Sequence, residues 1–109
     1  MTRTVTDAQL DEFLGFAQQV TDASYFDFMP DRMDMAPVLQ FDNISGRNKF
    51  ARIFTGTKQT QRMCWGFINL HNGDVLKAEG WKKPALNFAR GNIADNAHGT
   101  ERCRWTGVV

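Results

Sequence analysis

The stretch Met63-Cys64-Trp65-Gly66-Phe67-Ile68-Asn69-Leu70, followed by His71-Asn72-Gly73-Asp74 and then Val75-Leu76-Lys77-Ala78-Glu79, decides the fold. Bulky apolar residues fill both alternating sets of the first segment, with Met63, Trp65 and Phe67 on one face and Cys64, Gly66 and Ile68 on the other. A strand covered on both faces belongs in the middle of its sheet. Asn72-Gly73 is a strong hairpin signal, because a type I′ turn needs positive φ at both central residues. The chain is therefore expected to reverse there into an antiparallel neighbour over 75–79.

Upstream, residues 47–55 set Lys49, Ala51, Ile53 and Thr55 against Phe50, Arg52 and Phe54, the period of another strand. Val38-Leu39-Gln40-Phe41, closed by Asp42-Asn43 and Ser45-Gly46, reads as the first strand. Leu10, Phe13, Leu14, Ala17 and Val20 recur at steps of three and four, which predicts an amphipathic helix capped by Thr6 or Asp7 and ending between Thr21 and Ser24. Residues 25–37 alternate aromatic or Met with Asp around Pro30, an ordered loop whose apolar side chains pack down while its acids face water. Downstream, Pro84 at a first-turn position and Gly91 at a cap position frame a short helix over 84–90. Residues 92–99 have loop composition, and Arg102-Cys103-Arg104-Trp105 alternates as a last strand. The expected fold class is α+β: an N-terminal amphipathic helix packed on a mainly antiparallel sheet of four or five strands, with a short helix in the C-terminal half. All 109 residues form one domain in this reading.

The formal net charge of +1 hides an asymmetry. Up to Gly46, eight acids stand against Arg3 and Arg32, a net −6; beyond it, eleven bases stand against four acids, a net +7. Between Arg47 and Arg62 there are five bases and no acid, a density that attracts phosphate where the side chains share a face. The alternative is that the acidic N-terminal half lies across the basic sheet and neutralises it. No apolar run approaches the roughly 18 residues a bilayer span requires, and residues 1–7 contain no apolar block of the signal-peptide kind, so the expected location is the cytoplasm. Cys64 and Cys103 are expected as reduced thiols.

The run Cys64-Trp65-Gly66-Phe67-Ile68-Asn69, then Asn72-Gly73-Asp74-Val75-Leu76-Lys77, Trp81-Lys82-Lys83-Pro84-Ala85 and Ala89-Arg90-Gly91-Asn92-Ile93 resembles a family of small uncharacterised proteins encoded by tailed bacteriophages. That family shares an aromatic-rich strand, a Gly-Asp-hydrophobic-hydrophobic-Lys turn and strand, and a Trp-Lys-x-Pro-Ala…Ala-Arg-Gly-Asn-Ile tail. The likeness covers residues 62–95. Glu79, between Lys77 and Trp81, and the polar segment after Ile93 depart from the pattern. The resemblance implies no particular activity. It implies an accessory role in an infected host cell, such as nucleic-acid transactions, binding of a host protein or sequestration of a nucleotide signal.

Trp81-Lys82-Lys83-Pro84 is the sharpest candidate site. At the start of a helix, free N–H groups beside two ammonium groups make an anion receptor, and Trp81 offers a stacking face. A structural role fits the same residues, with Trp81 as an anchor and both lysines solvated. Arg90 and Asn92 are either secondary polar contacts or a plain helix end. Phe50, Arg52 and Phe54 share a face in the manner of single-strand binders, or else cover a core while the arginine reaches the edge. The candidate ligand-binding set is Lys49, Arg52, Arg62, Lys77, Trp81, Lys82, Lys83, Arg90 and Asn92.

His71, His98, Cys64 and Cys103 lack metal-ligand spacing, and no nucleophile–base arrangement or phosphate-binding Gly loop is present, so neither catalysis, a metal nor a cofactor is expected. The residues point first to a binding protein for an anionic ligand, nucleic acid or nucleotide. The alternative is a protein-interaction module or inhibitor of a host protein that uses the Met- and Phe-rich residues 25–35. A homodimer is compatible with both, through an unpaired sheet edge.

Overall fold

The structure is a computed structural model that describes residues 4–42, 49–56, 63–81, 83–95 and 99–109. Helix α1 runs from Asp7 to Phe28. Thr6 caps it reciprocally with Gln9: the Gln9 N–H donates to the Thr6 hydroxyl at 3.2 Å, and the Thr6 N–H donates to the Gln9 side chain at 2.8 Å. The helix passes the expected stop near Ser24 because Tyr25, one turn beyond the buried Thr21, is itself buried. It ends where Pro30 disfavours the helical state of Met29. Residues Pro30–Met35 form a 3-10 turn broken at Arg32, where φ is −130° and ψ 43°.

Strands β1 (Gln40–Asp42), β2 (Phe50–Thr55), β3 (Met63–Asn69) and β4 (Asp74–Leu76) form an antiparallel sheet in sequence order. A further strand from Gly91 to Asn92 completes the five on the outer side of β4. β3 is central, as its composition requires. Its simple alternation fails at one point: Ile53 pairs with Gly66 and the next residue, Phe54, pairs with Cys64, which leaves Trp65 as an extra residue. This bulge turns Trp65 into the main core, while Phe67, opposite Arg52, stays on the other face. The turn after β3 is wider than a two-residue hairpin loop, because Leu70 is buried at its start and Gly73, at φ 81°, closes it on the Asn69 carbonyl at 2.8 Å.

Beyond β4 the chain leaves the sheet. β5 (Ala78–Gly80) pairs with β6 (Lys83–Pro84), and β7 is the outer strand Gly91–Asn92 already described. The helix expected over 84–90 is absent. A seven-residue helix is marginal alone, and the N–H groups it would need are used at long range: Ala85 donates to Lys77 and Arg90 to Val75, both at 2.8 Å. Pro84 therefore lies in a strand, and Gly91 pairs with Val75 and caps no helix. The last strand is real but short: β8 (Cys103–Arg104) forms a hairpin with β9 (Gly107–Val108).

Two layers flank the sheet. On one face, Leu10, Phe13 and Ala17 of α1 join Ala51, Ile53, Trp65, Ile68, Val75, Cys103 and Val108 in the main core. Each large side chain removed from water there contributes about 1.5–3 kcal/mol. The Trp65 indole N–H donates to the Arg104 carbonyl at 2.9 Å and ties the C-terminal hairpin into this layer. Gly66 makes room for it, since a Cβ there would lie 2.7 Å from Val108 Cγ2. On the other face, Arg52, Phe54, Phe67 and Leu76 are buried, with β5 packed against β3 and Trp81 beside Phe54 and Arg52.

Candidate functional site

The residues expected to receive an anion are brought into the fold's own bonds. Arg52 Nη2 donates to both oxygens of Asp42 at 2.9 Å, and Nη1 donates to the Trp81 carbonyl at 2.8 Å. Its guanidinium carbon stands 4.2 Å from the centre of the Trp81 ring, so the face proposed for stacking a base is covered by Arg52 itself. The Arg52 side chain is 9% exposed and that of Asp42 25%. The pair joins the acidic and basic halves of the chain internally.

The other members scatter. Asn92 bridges the Asn72 carbonyl and the Asp74 carboxylate at 2.8 and 3.0 Å, and so holds β7 to the turn before β4. Lys83 lies 3.8 Å from Glu79 in an exposed cross-hairpin pair. Lys77 is exposed, and the exposed Lys49 has its ammonium 5.5 Å from the Phe50 ring. Arg90 is buried against Phe88. Arg62 and Lys82 lie outside the described residues. Because the helix over 84–90 does not form, no helix N-terminus stands beside Lys83.

A different surface gathers at the C-terminal end of α1. The segment expected to pack down instead exposes Phe26, Phe28, Met29 and Met33, the first two by 55% and 57%. Phe28 stacks on Trp105 at 4.7 Å between ring centres, and Tyr25 meets the same indole edge-on at 5.4 Å. The Trp105 backbone N–H donates to the Ser24 hydroxyl at 3.3 Å. Trp105 in turn lines an open apolar cavity of about 240 Å³ with Pro37, Thr55, Met63, Cys64 and Trp65. Met63, in its lining, is 63% exposed, and Val38, next in the chain to the lining residue Pro37, is 62% exposed. Gln18 fixes the approach to β1, donating to the Pro37 carbonyl at 2.9 Å and accepting from the Leu39 N–H at 2.8 Å.

Both cysteines carry free thiols. Burial pushes Cys103 up to about 12, with Arg104 pulling weakly the other way. Burial also raises Cys64, partly offset by the Arg52 charge. Among the described residues no three His, Cys, Asp or Glu side chains converge on a metal position, and no helix is long and apolar enough to cross a membrane.

A family model matches residues 1–109, the whole chain, and is described as a family of unknown function, DUF7717. The chain belongs to DUF7717. No curated protein and no solved structure matches it.

What this DUF7717 member offers chemically is contact. Met63 and Trp105 line a cavity large enough for one side chain, Phe28 stacks on Trp105, and the acids Asp27, Asp31 and Asp34 lie in the segment around and after Phe28. Arg32, the base among them, is paired to Asp34 at 3.4 Å. The alternation of Met and Phe with Asp was the sequence signal for this surface. The contribution of Trp105, eighty residues away in the chain, had no such signal.

Proposed function

We propose that this chain is a non-catalytic protein-interaction module whose contact surface is the end of α1, the 3-10 turn and the cavity beside Met63. The observation that supports this is that exposed Phe28 stacks on Trp105, which lines an open apolar cavity together with exposed Met63, while Met29 and Met33 are exposed in the segment that follows Phe28. Contiguous apolar surface of this kind is characteristic of interaction sites, and methionine-rich surfaces adapt their packing to a partner. Charge complementarity selects the partner: it presents an apolar anchor for the cavity and basic residues for Asp27, Asp31 and Asp34. The resemblance to small tailed-phage proteins makes a host protein that partner in this reading, met in the host cytoplasm.

Methyl spectra of the methionines test it directly. An amphipathic peptide with a lysine-rich rim is expected to shift the Met29, Met33 and Met63 methyl signals saturably, more weakly as salt rises, and not to do so with Met63→Asp. A glutamate-rimmed peptide is expected to leave them unmoved. Three outcomes overturn the proposal: no shift with the basic peptide, a shift indifferent to Met63→Asp, or a dimer in sedimentation that Met63→Asp dissociates, which makes a second copy the occupant. Tighter binding of single-stranded oligonucleotide at Lys49, Lys77 and Lys83, with the methyl signals still, favours the anionic ligand instead.

A further inference from the structure

We propose that Arg90 and Arg102, flanking Phe88, form a receptor for a phosphate monoester. Arg90 is only 9% exposed. Its Nη1 donates to Asn87 Oδ1 at 2.9 Å and to the Phe88 carbonyl at 2.7 Å, both neutral acceptors. Its Nε is buried without any hydrogen-bond partner among the described residues. All twelve carboxylate side chains of the protein lie among the described residues, and none forms an ion pair with Arg90 or Arg102. A guanidinium nine-tenths buried without a carboxylate partner is an unfavourable arrangement. Arg52, whose Nε is likewise buried and unpartnered, differs in having a carboxylate on its Nη2.

A second guanidinium stands at the same aromatic ring. The Arg90 guanidinium carbon lies 3.8 Å from the Phe88 ring centre and that of Arg102 5.8 Å from it. Two like charges thus stand at one aromatic ring, neither in an ion pair with a carboxylate among the described residues. The Nε–Nη2 edge of a guanidinium is a fork that fits two oxygens of one oxyanion, and on Arg90 that edge has no acceptor among the described residues. Two positive charges at one site match a dianion better than a monoanion, which selects a phosphate monoester over a carboxylate or a phosphodiester.

The cover over Arg90 is light. Leu86, Asn87, Phe88 and Ala89 are all exposed, and their N–H groups make no hydrogen bond among the described residues. The segment is held at its ends by Ala85 and Arg90, so admitting an oxyanion to the Nε edge breaks no backbone bond within it. This receptor stands independently of the apolar surface at α1.

Inorganic phosphate, methyl phosphate and dimethyl phosphate, titrated at constant ionic strength and followed through arginine Nε–H and backbone amide signals, test the proposal. Phosphate and methyl phosphate are expected to move Arg90, Arg102 and residues 86–89 saturably. Arg102→Gln, at an exposed position, is expected to weaken that binding about tenfold in a protein whose spectrum stays folded. Affinity is expected to fall as pH drops through about 6, where the dianion takes up a proton. Unmoved arginine signals, wild-type affinity in Arg102→Gln, or equal binding of dimethyl phosphate overturns it.

Discussion

Arg52 and Asp42 face each other across β2 and β1, with one guanidinium nitrogen 2.9 Å from both carboxylate oxygens and the Trp81 ring against the guanidinium. Removing the acid leaves a nearly buried positive charge without its partner, a loss of about 3–5 kcal/mol for a fully buried pair. The carboxylate here keeps some contact with water, so Asp42→Ala is expected to cost about 2–3 kcal/mol, read from the urea midpoint. Arg52→Met in the Asp42→Ala background is expected to recover part of that loss, because an apolar chain against Trp81 carries no charge to strand. An unchanged midpoint in Asp42→Ala removes the pair from the account of stability.

Gly66→Ala is expected to destabilise by about 1–3 kcal/mol, the usual range for overpacking. The new methyl would lie 2.7 Å from Val108 Cγ2 and 3.1 Å from the Leu76 carbonyl. Val108→Ala in the same chain removes the nearer clash, so the double variant should lose less than the two single losses added. A double-mutant cycle in urea measures that coupling, and simple additivity would show that β9 does not press on β3 at this glycine.

Thr6→Ala is expected to cost about 1 kcal/mol, because it removes the hydroxyl that accepts from the Gln9 N–H and leaves one orphan donor at the start of α1. The thermal midpoint measures it. Thr6→Ser, which keeps the acceptor, is expected to stay close to the wild type.

How far the sequence discloses this fold depends on the range of the interactions. The apolar ladder from Leu10 to Val20 and the dense composition of β3 are local patterns, and both elements form there, with α1 running on to Phe28 beyond the predicted stop. Asp42 and Arg52 stand opposite each other in the antiparallel β1–β2 pair, a register that the composition of neither strand gives by itself. The failures are non-local. The bulge at Trp65 answers to Gly107 and Arg104 in the C-terminal hairpin. The helix over 84–90 loses to hydrogen bonds with Lys77 and Val75. At the candidate sites, charge density pointed to Arg52 and the expected helix end to Arg90, and Arg102 lacked a site signal because only the fold brings it to Phe88.

The two thiols are expected to separate by reactivity. Cys64 is half-exposed beside the cavity and Cys103 fully buried, so iodoacetamide near neutral pH should modify Cys64 and leave Cys103 until the chain unfolds. Mass spectrometry of the labelled peptides distinguishes them. Rapid labelling of Cys103 under native conditions would mean that the C-terminal hairpin opens from the core.

Burial of Cys103 also sets how stability responds to alkali. Its folded value of about 12 lies above the ordinary 9.0. Below pH 9 both states hold the proton and the group leaves stability unchanged. Between 9 and about 12 the unfolded chain releases it while the folded one keeps it, so the unfolded state is favoured by about 1.4 kcal/mol per pH unit. Urea midpoints should therefore fall more steeply with pH above 9 in the wild type than in Cys103→Ala, after allowing for the cavity that substitution leaves. Cys103 lies in the core, accepts no compensating charge closer than Arg104, and donates to the Gly99 carbonyl at 3.7 Å, so its proton is retained by the packing of the fold. Parallel pH profiles for the two proteins would show that water reaches the thiol in the folded state.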